Sequence, residues 1–399
     1  MKNNILKILL VFSLFKTALF AEDWDFLSVN GYGTVGVAFQ DNKDVTFRNS
    51  FFTEKGSKGK ASFANYSALG LQLDAKVTHK LSFTVQAIAS KNNSNGKNLD
   101  AEWANAKYQV TDAFDIKVGL MRLPTFMNSD ILNVGYSYEM LRLPDMYGLV
   151  SISKYQGIEL FHRADLENGS LSSTFLYGQT NSKYMSTNNN VGDATIHAEN
   201  IYGLAVKLLY NDLTLRTSYF STTLDLNNQR TEGVLGQFNA LNIPIISNTI
   251  EKYKYQNQRI SYLNLGAKYE FENAYVSGEY ISADTDSFMP DINSWYIGSG
   301  YNFDEWTPFV TYSKTKSSSN YSPMSVEGMP MQVAGAIMGA NQVFSMMAGG
   351  GKYELNLETV SLGFRYDIAD NAVFKFQYDE QKRVNDSLHI FSSGINFVF

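Results

Sequence analysis

The sequence predicts an all-β fold, a transmembrane antiparallel β-barrel of about 16 strands, with short turns at one rim and long loops at the other. Three observations carry this. Period-two alternation recurs along almost the whole chain. The connections between alternating segments are by turns short and long. The last strand ends in an apolar stripe that runs to a terminal aromatic: Phe391, Ile395, Phe397 and Phe399 share one parity, while Ser392, Gly394 and Asn396 hold the other.

The first element, 1–21, reads as a secretory signal peptide. Lys2 and Lys7 form a basic start, an apolar run follows, and Leu19-Phe20-Ala21 places a small residue before the acidic Glu22-Asp23. Its uncharged stretch 8–15 is far shorter than the roughly 20 residues of a spanning helix. The barrel domain is expected to fill 22–399.

Within it, strands are predicted at 27–40, 64–77, 81–90, 101–110, 115–122, 154–164, 170–180, 200–210 and 213–222. Seven more follow at 259–271, 274–284, 294–303, 307–316, 356–368, 372–383 and 387–399. Seven connections are tight and mostly rich in Asp and Asn, as at Asn211-Asp212, Glu272-Asn273 and Ala369-Asp370-Asn371. Those between them are mostly long: 41–63, 91–100, 123–153, 181–199, 223–258, 285–293 and 317–355.

The alternation also says which face meets lipid. Val360, Leu362, Phe364 and Tyr366 oppose Ser361, Gly363, Arg365 and Asp367, and Leu263, Leu265, Ala267 and Tyr269 oppose Asn264, Gly266, Lys268 and Glu270. Charges keep to one parity, as hydrocarbon on the other requires: Lys or Arg at mid-depth costs about 2–4 kcal/mol. Tyr210, Tyr269, Phe271, Phe303 and Tyr366 fall beside short turns, where an aromatic girdle stands.

Composition excludes several functions. The chain has no cysteine, so thiol catalysis, zinc-thiolate sites and disulfide scaffolds are out. Without 1–21 it carries 30 basic and 39 acidic residues, net −9, with no basic stripe for nucleic acid. Four histidines, His79, His162, His197 and His389, are spread around the chain and predict no catalytic convergence. Asp284, Asp286 and Asp291 form the densest acidic loop but lack the glycine and terminal glutamate of a calcium-binding hand. No metal, cofactor or enzymatic activity is expected.

With the C-terminal stripe and an aromatic-rich loop after the fifth strand, containing Arg122-Leu123-Pro124, Ser129-Asp130 and Arg142-Leu143-Pro144-Asp145, the chain resembles the 16-stranded porins of the Gram-negative outer membrane. The resemblance implies that the third loop, 123–153, folds into the lumen and narrows it. It also implies that Phe399, Phe397 and Ile395 serve as an outer-membrane assembly signal, and that the protein is a homotrimer surrounded by outer-membrane lipid. Small subunit-contact residues are expected at Gly31, Gly33, Gly36, Ala68 and Ala75.

The function expected is a water-filled channel for passive diffusion of ions and small hydrophilic solutes, or alternatively a substrate-specific channel for a sugar, carboxylate or similar solute. Candidate constriction residues are Asp130, Glu139, Arg142 and Asp145 on the loop and Lys107, Lys117, Arg163 and Arg216 on the wall. Facing charges across a narrow aqueous gap set a transverse field that favours small hydrated solutes. Lys207, Lys268, Arg365 and Lys375 share the inward parity, and Tyr262, Tyr275 and Tyr296 are candidates for an aromatic slide. In 317–355, which is rich in Met, Ala and Gly, a short helix is expected at 334–344.

Overall fold

A computed structural model describes residues 26–399 except 51, 52, 54, 92–97, 151, 185–192 and 351–353. The expected signal peptide lies outside the described residues. The strands are β1 Leu27–Gln40, β2 Ala68–Lys76, β3 Leu81–Ser90, β4 Leu99–Gln109, β5 Phe114–Arg122, β6 Lys154–Leu166, β7 Gly169–Tyr184 and β8 Ala194–Tyr210. They continue as β9 Leu213–Asn227, β10 Gln258–Glu270, β11 Ala274–Thr285, β12 Asp291–Tyr301, β13 Trp306–Ser318, β14 Asn356–Ala369, β15 Ala372–Lys382 and β16 Ser387–Val398. Each pairs antiparallel with the next and β16 returns to β1, so all 16 expected strands form one closed barrel. Closure leaves no unpaired edge, the condition for a sheet to cross lipid.

The expected outer parity is the observed one. Leu263, Leu265, Val360, Leu362, Phe391 and Ile395 are exposed on the wall, while Lys375, Gln377, Ser392 and Asn396 are buried inside. At the rim of short turns, Tyr269 meets Phe271 edge to face (4.8 Å), and the tilted pairs Tyr301–Phe303 (4.3 Å) and Trp306–Tyr366 (4.5 Å) complete a girdle. The two-residue turn Asn211-Asp212 uses a left-handed Asn211, φ 47°, a conformation that asparagine tolerates.

The seam departs from expectation. Gly31 and Gly33 do not leave a bare contact surface on the outer wall. A Cβ on Gly31 would stand 2.1 Å from the Phe399 ring, and one on Gly33 2.5 Å from the Phe397 ring. The two terminal rings therefore lie in notches left by the glycines directly opposite them. Gly36 and Ala68 face the interior, against Tyr66 and a loop-lined cavity.

The loops decide the interior. The third, 123–153, turns into the lumen through three short 3-10 turns, Ser129–Ile131, Gly135–Ser137 and Asp145–Gly148. The fifth, expected only as a long connection, carries helices α1 Gln229–Asn239 and α2 Pro244–Tyr253. Their signals were present. Asn228 caps α1 by accepting from the backbone N–H groups of Arg230 and Thr231, and Pro244 opens α2 at the position where proline is tolerated. The seventh carries α3 Met331–Met347, longer than the expected 334–344. These helices pack on Phe288, Tyr321 and Phe344 to form an external cap with its own apolar core.

Candidate functional site

A cylinder of 16 strands is too wide for side chains alone to fill. Here the loops fill much of it. Along β6–β12, the inner faces of the external halves carry Leu176, Ile196, Ile201, Phe220, Leu224, Ile260 and Ile281, and these pack against Leu123, Phe126, Met146 and Ile152 of the third loop. Tyr262 and Tyr296 are inward as expected, but they are buried in this cluster, so no exposed aromatic slide runs there. Alternation alone could not show this, because an inward apolar residue reads the same as an outward one until the loop covers it.

Hydrogen bonds fix the loop to the wall on two sides. On one, Met127 N donates to Glu279 Oε2 at 2.9 Å, Tyr147 Oη donates to Glu279 Oε1, and Ser218 Oγ donates to the Thr125 carbonyl at 2.8 Å. Burial, then the Glu279 carboxylate, holds the Tyr147 phenol well above its usual range. On the other side, Lys375 Nζ donates to the carbonyls of Gly135, Tyr138 and Met140, and Arg365 Nη1 donates to Tyr136 O at 2.7 Å.

Four expected constriction residues thus fall into two groups. Arg142 and Asp145 pair with each other and are 6% and 7% exposed, with Arg142 at the edge of a small cavity between the first and third loops. Asp145 accepts from Thr359 Oγ1 at 2.6 Å and from Gln381 Nε2 at 3.0 Å, Arg142 reaches Asp379 at 3.6 Å, and Phe47 of the first loop covers the guanidinium at 5.1 Å. Burial works against the charge on Arg142, but Asp145 and Asp379 outweigh it and raise its pKa. Two opposite charges three residues apart on one loop satisfy each other, which is why they anchor the loop. Glu139 is half-buried on the same far side, near Tyr275 and Lys375. Asp130 stays exposed and meets Arg216 at 3.1 Å.

Asp130 and Arg216 belong to a cavity of about 560 Å³ between the third loop and the wall of β1–β9, on the side of the short turns. Lys107 and Lys117, both expected, line it, with Glu159 bound to Lys117 at 2.8 Å and Asp115 to Lys107 at 3.8 Å. Arg163 lies over the Phe161 ring at 5.5 Å, and Phe161 is part of the lining. On the external side of the same wall, a smaller cavity of about 290 Å³ opens between the first and third loops, beside Asn49, Asn133 and Tyr138.

Between the two cavities stands a cluster that the sequence reading missed. Arg122 pairs with Glu102, Asn133 Nδ2 donates to Glu102 at 3.2 Å, and Lys154 bridges Asp100 at 2.5 Å and Glu102 at 3.3 Å. Its origin is a register shift: Gln86 opposes Trp103 while Ala87 opposes Ala101, so Glu102 is the extra residue of a bulge. A bulge re-aims side chains and breaks strict alternation. Two large residues, Glu102-Trp103, flanked by Ala101 and Ala104 were the available sign. In the acidic loop, Asp291 accepts from Thr285 N at 2.9 Å and Asn320 Nδ2 at 3.1 Å, and Asp284 from Ser282. Among the described residues no group of three acids or histidines is placed to hold a metal ion.

No protein-family model matches the chain and no curated relative matches it by sequence. Solved structures do match in fold. The loop L8 deletion mutant of OmpT, an outer membrane protein of Vibrio cholerae, superposes with a TM-score of 0.56 at 13% identity, covering 94% of this chain and 100% of that one. In-vitro folded OmpT gives 0.53 at 12%, over 95% and 99%. OmpF of Salmonella typhi, in a complex with daunomycin, gives 0.51 at 12%, over 95% and 99%. The likeness is one of fold: with its apolar outer wall and closed strand order, this chain shares the closed β-barrel architecture of these outer-membrane proteins, here with 16 strands.

Proposed function

We propose that the protein is a passive outer-membrane channel for ions and small hydrophilic solutes, with its passage confined to the β1–β9 side of the lumen. The observation that carries this reading is the division of the interior. One side is filled by apolar packing of the third loop, while the other keeps a charged cavity of about 560 Å³ on the inner rim and a cavity of mixed lining, about 290 Å³, outside. Water and solutes enter polar gaps and not packed apolar ones. Arg122, Glu102 and Asn133, between the cavities, form the narrowing, with Lys117, Asp130 and Arg216 just below it.

Planar-bilayer recording of the refolded protein tests this. Discrete conducting steps are expected, and a folded barrel that never conducts would overturn the reading. A substrate-specific channel is the second reading, and the extent of loop filling favours it over a wide pore. It predicts small currents that one solute class blocks at saturable concentrations. Under the general reading the current rises in proportion to salt.

A further inference from the structure

In-register like charges are unusual on a sheet, because residues directly opposite have Cβ atoms about 4.5–5.5 Å apart and repel. The inner wall holds three such pairs: Lys107 opposite Lys117, Lys207 opposite Arg216, and Arg365 opposite Lys375. The third is explained by the loop that lies on it. Its two cations donate to the carbonyls of Tyr136, Gly135, Tyr138 and Met140, and Arg365 also meets Asp367 at 2.6 Å. Of the other two pairs, Arg216 is also taken up by the third loop, donating to Pro124 O at 3.2 Å and meeting Asp130 at 3.1 Å, while Lys207 beside it and the Lys107–Lys117 pair are not. Both pairs face the 560 Å³ cavity.

The charges around that cavity do not cancel. Its lining contains the bases Lys76, Lys107, Lys117, Arg122, Lys207 and Arg216 against the acids Asp74, Asp130 and Glu159. Lys107, Lys117, Arg122 and Arg216 each have a carboxylate partner, whereas Lys207 and Lys76 have no carboxylate within ion-pair distance among the described residues. Asp74 is taken up by Gln72 Nε2 at 2.7 Å and Thr84 Oγ1 at 2.6 Å. Two N–H donors at the cavity also lack an acceptor among the described residues: Nε1 of Trp103, and Nε of Arg216, a residue only 5% exposed.

We propose that this inner vestibule is an anion site, in which small oxyanions and carboxylates dwell between the Lys107–Lys117 and Lys207–Arg216 pairs and which makes the passage anion-selective despite the net negative chain. The inference rests on the channel reading for its selectivity but not for its binding. An anion beside Lys207, which has no carboxylate partner among the described residues and stands opposite Arg216, relieves the repulsion that the ion pairs leave, and confinement by low-dielectric walls raises its local concentration at least about tenfold. Loop charge farther than a Debye length, about 8–10 Å, from the vestibule is screened from it, so the overall net charge has less say than the lining.

Two measurements test it, and they fail separately. In a KCl gradient, the reversal potential is expected to show chloride favoured over potassium, and Lys107→Gln with Lys207→Gln to reduce that preference about tenfold, with Lys252→Gln on the external helix without effect. A channel that conducts with cation preference, or with none, overturns the proposal and leaves the channel reading standing. In detergent, inorganic phosphate added at constant ionic strength is expected to change the Trp103 emission, defined by difference from Trp103→Phe, in a saturable way that the double lysine variant loses. Saturable binding by a barrel that never conducts supports the anion site while the channel reading falls. Absence of a saturable response overturns the site.

Discussion

Asp145 and Thr359 lie 214 positions apart in sequence and share a 2.6 Å hydrogen bond that ties the third loop to β14. Around it, Gln381 donates to the same carboxylate and Arg142 closes the cluster against Asp379. The loop is thus held by a buried polar network and not by surface contacts.

Asp145→Ala should release this anchor. Removing one member of a buried ion pair costs about 3–5 kcal/mol when it leaves the other charge uncompensated, and less here because Asp379 still faces Arg142 at 3.6 Å. We expect the barrel to stay closed while 123–153 becomes cleavable by protease and channel current becomes noisier. Wild-type resistance and quiet current in the variant would show that the loop is held elsewhere.

Seating of Phe399 on Gly31 sets the second prediction. Gly31→Val should prevent the terminal ring from lying in its notch, because even a Cβ would sit 2.1 Å from the ring. Refolding yield in detergent, read from heat-modifiable migration, should fall. Adding Phe399→Ala should recover part of it, and a pair of strictly additive losses would refute the coupling.

The external cap is a third case. Phe288 is fully buried among Tyr253, Tyr321 and Phe344, with ring centroids 5.4, 5.8 and 5.1 Å away. Phe288→Ala should cost about 3–5 kcal/mol of local stability. Because the cap has its own core, hydrogen exchange should rise across α1, α2 and α3 and leave β14–β16 unchanged. Uniform acceleration would mean that cap and wall unfold together.

Alkaline pH should loosen the loops before the wall. Tyr66, Tyr138, Tyr147 and Tyr255 all sit in loops, and burial holds each phenol above its ordinary value near 10. A raised phenol pKa in the folded state means that its contribution is intact below the unfolded pKa and is lost as pH climbs above it. Phenolate absorbance should therefore lag the exposed tyrosines above pH about 10, then rise together with loss of protection in 123–153. Simple parallel titration of all tyrosines would refute it.

Much of this was legible in the sequence. The alternation of Phe374, Phe376 and Tyr378 with Lys375, Gln377 and Asp379 assigned the faces, because a strand has only two and lipid excludes charge from the one it meets. The turn asymmetry set the topology, since antiparallel neighbours can be joined by a few residues. The inward bases Lys107, Lys117 and Arg216 were found by the same parity. The Glu102 cluster was not, because one unpaired residue in β4 shifts the parity and only the partner strand shows where.

What the sequence by itself determined, then, is the barrel: strand number, inner and outer faces, the rim with short turns, and a lipid-facing wall. These depend on local period and on the solvent each face meets. Only the tertiary structure decided which part of the lumen stays open. Arg142 and Asp145 look like pore charges until Thr359, Gln381 and Asp379 surround them, and Tyr262 and Tyr296 look like a slide until Phe126 and Met146 cover them. A loop carries no period that announces its partner. Where it lands depends on burying its apolar side chains and satisfying its polar groups against walls that are distant in sequence.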